Sequence, residues 1–247
     1  MPNQRVFEIE LARTGAFANQ PSQFELVRDL PDVPVLSETL LLMELMVSER
    51  SVDLREISQL ILSDLGATVQ ILRLSACDFS SIEELPTRIE DCISGLGVQA
   101  CLEAMSRRIV KRSASRSEII ETWAHARNMA EACRALAGEF AVNPEDAYMV
   151  GLFHVIGSLP SVLGWWQTPP IAGHPDAVGQ RMAQAWSLPR CVAQYFAPQR
   201  STAGQNRWRE LVQLAHHGSA ALHPACMPQE MVPLHRSLGA LAHAFSS

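Results

Sequence analysis

From Pro34 onward the apolar residues recur at three- and four-residue spacing in one run after another, and stretches that alternate apolar with polar residues are almost absent. This periodicity is the strongest constraint on the fold, because a chain offering one apolar stripe per helix buries it against other helices. Start and stop signals punctuate the runs. PVLSETLLLMELMV reads as a first helix, and Asp53 with Glu56 three residues on forms a capping-box pattern ahead of LREISQLILSD. A further helix is expected from Gly66 through Cys77. DFSSIEELPT, polar and broken by Pro86, reads as a loop; RIEDCISGLG reads as a short helix stopped by Gly95 or Gly97, and VQACLEAMSRRIVKR closes the first half.

A shift in composition marks the middle of the chain. Acidic residues outnumber basic ones through residue 100, whereas Arg107, Arg108, Lys111, Arg112 and Arg116 cluster just beyond. The pattern restarts with Ser115 and Glu118, a second capping-box pair, before a long helix expected from about Arg116 to Phe140. Asn143 as cap and Pro144 at the first helical position open the next one, where a missing N–H costs nothing. Later starts fall at His174-Pro175 and Ser187-Leu188-Pro189, followed by WRELVQLAHHGSAAL and HRSLGALAHAF. Near the N-terminus, RVFEIEL fits either a strand or a short helix, and GAFANQPSQ reads as a linker. The expected architecture is all-α, a helical bundle of two lobes: an extension or linker over 1–28, a first lobe over 29–113, and a second over 114–247 that ends in a C-terminal helix.

With 247 residues, 47% of them hydrophobic, the chain can bury a substantial core. A net charge of -6 argues against general nucleic-acid binding, which is driven by clustered Lys and Arg neutralising phosphates. No apolar run reaches the roughly 18 to 20 residues that span a bilayer, and the N-terminus lacks the basic and apolar regions of a secretory leader, so no membrane insertion is expected. Six cysteines lie scattered without CxxC pairs, which fits reduced thiols in the cytoplasm.

Chemistry concentrates in the histidines. His125 shares a helix line with Met129 and Leu136, and His154 shares one with Ala147, Val150 and Gly151, so both imidazoles point toward the interior of a bundle. His174 at a helix start and His216 near the chain's end bring the candidate metal set to His125, His154, His174 and His216. Each fits a hydrogen-bonded core histidine as well as a ligand. Hydrolysis of a phosphate ester by a bound metal also needs carboxylates, to anchor a hard ion and to orient water. In GLFHVIGSLP, Val155 follows His154 and supplies none. No Gly-rich phosphate loop, GxSxG elbow or HExxH pair is present. Two surface candidates remain. SRRIVKR places Arg108, Lys111 and Arg112 on one side of a helix end, as a solvated terminus or as an anion or partner contact. Trp165 and Trp166, before QTPPIAGHP, fit either core anchors or an aromatic docking patch.

Taken in order, LPDVPVLSETLLLMEL, DLREISQLILSDLGATVQILRLSAC, RIEDCISGLGVQACLEA with Gly97, TWAHARNMAEACRALAGEF and NPEDAYMVGLFHVIGSLP resemble the HDOD domain, the non-catalytic signalling relative of the HD and HD-GYP phosphohydrolases. The resemblance runs from about Leu30 to Leu222. It implies that His125 and His154 match two family histidines and that Val155 stands where the catalytic relatives carry an aspartate. It also implies that QYFAPQ fills their double-His position and that His216 falls at their last aspartate. The second lobe is then a degenerate HD-like bundle with no catalytic residues, no metal and no cofactor. The implied role is signal transmission in a bacterial regulatory circuit through contact with a signalling or regulatory protein, which supplies the input or the effector. The alternatives are a residual metal-dependent phosphohydrolase and a receptor that holds a nucleotide in the former active-site pocket.

Overall fold

The computed structural model describes residues 32–48, 53–76, 88–106, 116–165, 174–198 and 203–222, with the side chains of 207–218 described in the last segment. All regular structure among them is helical. The elements are α1 (Ser37–Ser48), α2 (Leu54–Leu62), α3 (Leu65–Ala76), α4 (Ile89–Leu96), α5 (Val98–Ser106), α6 (Arg116–Leu136), α7 (Pro144–Phe153), a 3-10 turn (Ile156–Ser158), α8 (Leu159–Val162), α9 (Pro175–Ala185), α10 (Arg190–Phe196) and α11 (Ala203–Leu222).

The caps follow the sequence signals, with adjustments. Asp53 accepts a hydrogen bond from Arg55 N at 2.8 Å, at the second helical position rather than at Glu56. Asn143 accepts from Glu145 N at 2.8 Å with Pro144 in the first turn. Gly97, not Gly95, ends α4: its φ of 83° suits glycine, and its N–H reaches Ile93 O at 2.8 Å. The long helix α6 stops at Leu136, short of the expected Phe140. The chain there tightens into a turn in which Val142 N donates to Ala137 O at 3.1 Å, placing Asn143 to cap α7. α11 begins at Ala203, ahead of Trp208. Ser115, the loop after Cys77, the continuation of α5 past Ser106, RVFEIEL and HRSLGALAHAF lie outside the described residues.

One cluster of buried side chains runs from Val33 to Ala215, with Trp123, Trp186 and Phe153 as its largest fully buried members. Each buried Val, Leu or Phe contributes about 1.5–3 kcal/mol relative to exposure. The helices of the first half pack mainly on one another, and so do those of the second, with α6 lying along α7. A buried and a part-buried polar contact tie the halves together: Trp123 Nε1 on α6 donates to Asp64 Oδ1 at 2.9 Å, and Tyr148 Oη on α7 donates to Leu62 O at 3.1 Å. Close backbone approach depends on Gly66, Gly151 and Gly157, and a Cβ on Gly157 would sit 2.2 Å from Pro175 O. A Cβ on Gly66 would sit 1.9 Å from Pro34 O, and one on Gly151 would sit 2.6 Å from Met129 O and 2.7 Å from Ala130 Cα. Gly151 therefore sets how near α7 lies to α6. Cys92, Cys101, Cys133 and Cys191 are free and buried, and burial raises the Cys101 thiol to about 11 and the Cys133 thiol to about 12. They pack as small apolar groups.

Candidate histidine site

Three helices deliver one imidazole each to a common point. His125 sits in α6 between the buried Trp123 and Ala126, on the stripe that continues through Met129, Ala130 and Cys133. His154 is the residue that ends α7, and His216 follows the buried Leu211, Val212 and Ala215 on α11. The approach that Gly151 permits between α7 and α6 brings His154 beside His125.

The hydrogen bonds fix the orientation of the central ring. His154 Nδ1 lies 2.6 Å from Gly151 O. A carbonyl only accepts, so Nδ1 carries the proton, and the Nε2 lone pair of His154 faces His125 Nε2 at 3.2 Å. Neutral His125 then donates from Nε2. His216 completes the triangle: its ring stacks on His125 at 5.3 Å and 28°, and meets His154 edge-on at 5.0 Å and 78°. A ring nitrogen from each of the three residues lies within 4.8 Å of the others. Burial, with the two neighbouring imidazoles adding to it, pulls His154 well below the ordinary histidine range. Burial also lowers His125, and burial with His125 and His217 nearby lowers His216 to about 4. Three neutral imidazoles therefore share a partly buried site near neutral pH.

No carboxylate belongs to this group among the described residues. Val155, beside it, is 8% exposed, and its carbonyl accepts from Ser158 N at 2.9 Å within the 3-10 turn. The fourth histidine of the expected set is elsewhere: His174 is exposed and caps α9 by accepting from Asp176 N at 3.4 Å. A histidine ahead of Pro175 at a helix start serves the helix terminus, and that position carries it away from the triad. Trp165 is 6% exposed in the core cluster, and its backbone N–H donates to Pro160 O at 2.9 Å. Trp166, Arg108, Lys111 and Arg112 lie outside the described residues.

The sequence reading passed over Asp64, which is fully buried and accepts from Leu36 N at 2.8 Å, Ala67 N at 3.1 Å and Trp123 Nε1 at 2.9 Å. Burial pushes its carboxyl up, and the bonds from Leu36, Ala67, Thr39 and Trp123 pull the other way. The available signal was an acidic residue inside the apolar run QLILSDLGA, three residues before Ala67, at the start of a helix.

Residues 33–164 match the sequence profile of the HDOD domain, more than half of the chain. The chain belongs to the HDOD domain family. No curated protein matches this HDOD chain in sequence. Among solved structures, the MmoQ response regulator of Methylococcus capsulatus is 18% identical, with a TM-score of 0.61, and the match covers 85% of this chain and 93% of that one. A virulence factor of Campylobacter jejuni is 12% identical, with a TM-score of 0.54 over 79% of this chain and 81% of that one. At such identities the likeness is one of fold. The family match takes in His125, His154 and Val155 but ends before α11, so His216 joins the site from beyond it.

Proposed function

We propose that this HDOD chain is a non-catalytic bacterial regulatory module that acts in the cytoplasm by contacting a signalling or regulatory protein. The observation that carries the reading is the composition of the histidine site: three imidazoles, with Val155 where a hydrolase would place a carboxylate. With no acidic oxygen in the group among the described residues, the site lacks a carboxylate to anchor a hard divalent ion and to orient or deprotonate water. The protein named as a response regulator, which shares this fold, gives the regulatory reading its context. Leu41, Leu42 and Leu45 on α1, 58%, 49% and 54% exposed, offer apolar area of the kind that partner contacts bury. Buried free cysteines fit a reducing compartment.

The test is turnover. Purified protein is incubated with phosphomonoesters, linear and cyclic nucleotides and cyclic dinucleotides, each with Mg2+, Mn2+ or Zn2+. The expected result is no hydrolysis above the metal-only background. Metal-dependent turnover that disappears in His154→Ala would overturn the non-catalytic reading. For the partner contact, a photo-crosslinking residue at Leu45 is expected to give a discrete adduct in cells that is lost on adding Leu41→Glu. An adduct that survives that change moves the contact off α1.

A further inference from the structure

We propose that His125, His154 and His216 form a three-histidine site for a single borderline divalent cation of the zinc class, tying α11 to α6 and α7. The inference goes beyond the regulatory reading and stands or falls apart from it, because it is tested by metal content rather than by turnover or partner capture.

The geometry carries it. Two nitrogens bound to one tetrahedral zinc at about 2.0–2.1 Å stand about 3.3 Å apart. His125 Nε2 and His154 Nε2 are 3.2 Å apart. The third donor is at hand as well, since a His216 ring nitrogen lies within 4.8 Å of both. The outer contact is also the one a metal ligand needs. His154 donates Nδ1–H to Gly151 O at 2.6 Å, which fixes its tautomer and aims the Nε2 lone pair at the shared point. In the metal-free pair His125 donates from Nε2; on binding it takes the other neutral tautomer, with its proton on Nδ1, and no net proton is released.

Donor chemistry sets the selectivity. Neutral imidazoles suit Zn2+, Co2+ and Ni2+, whereas Mg2+ and Ca2+ require oxygen ligands, and no carboxylate joins the group among the described residues. Three protein ligands leave a fourth position for water or a small anion. Because the ligands come from three helices that are distant in sequence, a bound ion would act as a cross-link of the second half, favouring the arrangement in which α11 is docked.

The experiment uses the full chain, purified without an affinity tag, stripped with a chelator and then titrated with Zn2+ alone. About one equivalent is expected by elemental mass spectrometry after desalting, together with a rise in Tm of about 5 to 10 °C at a hundredfold excess over Kd. Mg2+ is expected to give neither. Binding should fall at least tenfold in His125→Ala and in His216→Ala and remain unchanged in His174→Ala. Should those variants fold poorly, Co2+ loaded into the unmodified chain gives an independent readout: intense visible ligand-field bands of a four- or five-coordinate ion are expected. No retained Zn2+, retention that persists in both triad variants, or only the weak bands of six-coordinate Co2+ would each overturn the proposal.

Discussion

Asp64 is expected to be the most sensitive polar position in the first half, and its cost can be worked out from its bonds. Replacing it by Ala strands four donors: Ala67 N–H, Trp123 Nε1–H and the Thr39 hydroxyl, all buried, and Leu36 N–H, partly buried. A buried donor left without an acceptor costs about 1–3 kcal/mol, and the more accessible Leu36 N–H costs less because water can reach it. Set against this is relief of the desolvation that raises the Asp64 carboxyl. The balance is a loss of about 2–4 kcal/mol, a large share of the roughly 5–15 kcal/mol that holds a domain together. Asp64→Asn should cost less, about 1–2 kcal/mol: its carbonyl can still accept from Trp123 and Ala67, but its amide N–H groups face the Leu36 N–H. Urea unfolding checks both values, with the midpoint falling while the m-value holds. A double-mutant cycle with Trp123→Phe should give a coupling of about 1 kcal/mol or more across the two halves. An Asp64→Ala midpoint indistinguishable from the parent, or zero coupling to Trp123, would refute the reasoning.

Gly151→Ala should separate α7 from α6, since the new Cβ meets backbone at 2.6 to 2.7 Å, and should cost about 1–3 kcal/mol or more by urea unfolding; a loss below about 0.5 kcal/mol would show that the helices part freely. In the chelated, metal-free protein, stability should fall as the pH drops from about 6.5 to about 4. The unfolded chain takes up protons there before His216, which faces His125, His154 and His217 and is lowered to about 4, so folding is favoured above that window and disfavoured within it. The His216 share is about 2 to 3 kcal/mol, and His216→Phe should flatten the slope; a variant with the parent's pH profile refutes the assignment. Val155→Asp, which introduces a carboxylate at a site only 8% exposed, should cost about 2–4 kcal/mol without metal, with Val155→Thr as the milder control; equal stability of the two variants would count against a buried apolar role for Val155.

Helix positions were legible because their signals are local. Asp53, Asn143 and Gly97 act within a turn of themselves, and each does in the structure what its residue type suggests. The histidine site was legible in part. Helical spacing shows that His125 and His154 face inward, but which inward-facing residues meet depends on how helices cross, and here a backbone contact at Gly151 decides it. His174 illustrates the limit: the His-Pro pair that marks a helix start also assigns that histidine to the cap, and the local role excludes the distant one. Asp64 went unread for the opposite reason, since its partner Trp123 lies 59 positions away and no local pattern links them.

The devices that hold the histidines together are separate from the chemistry the site can perform. Gly151 sets the spacing of α6 and α7, its carbonyl orients His154, and Trp123, two residues before His125, anchors α6 to the first half through Asp64. None of these groups is a catalytic acid, base or hard-ion ligand. A valine can therefore occupy position 155 with its side chain buried in the core cluster while the imidazoles stay within bonding range of one another. A valine at 155 bears on the class of ion the site suits: among the described residues the group offers nitrogen ligands, which hold a softer cation, and no carboxylate oxygen. On this argument the fold and the triad can persist together without a carboxylate at position 155, and a bound metal would bear on how α11 docks, while the turnover assay tests whether water in its fourth position is activated.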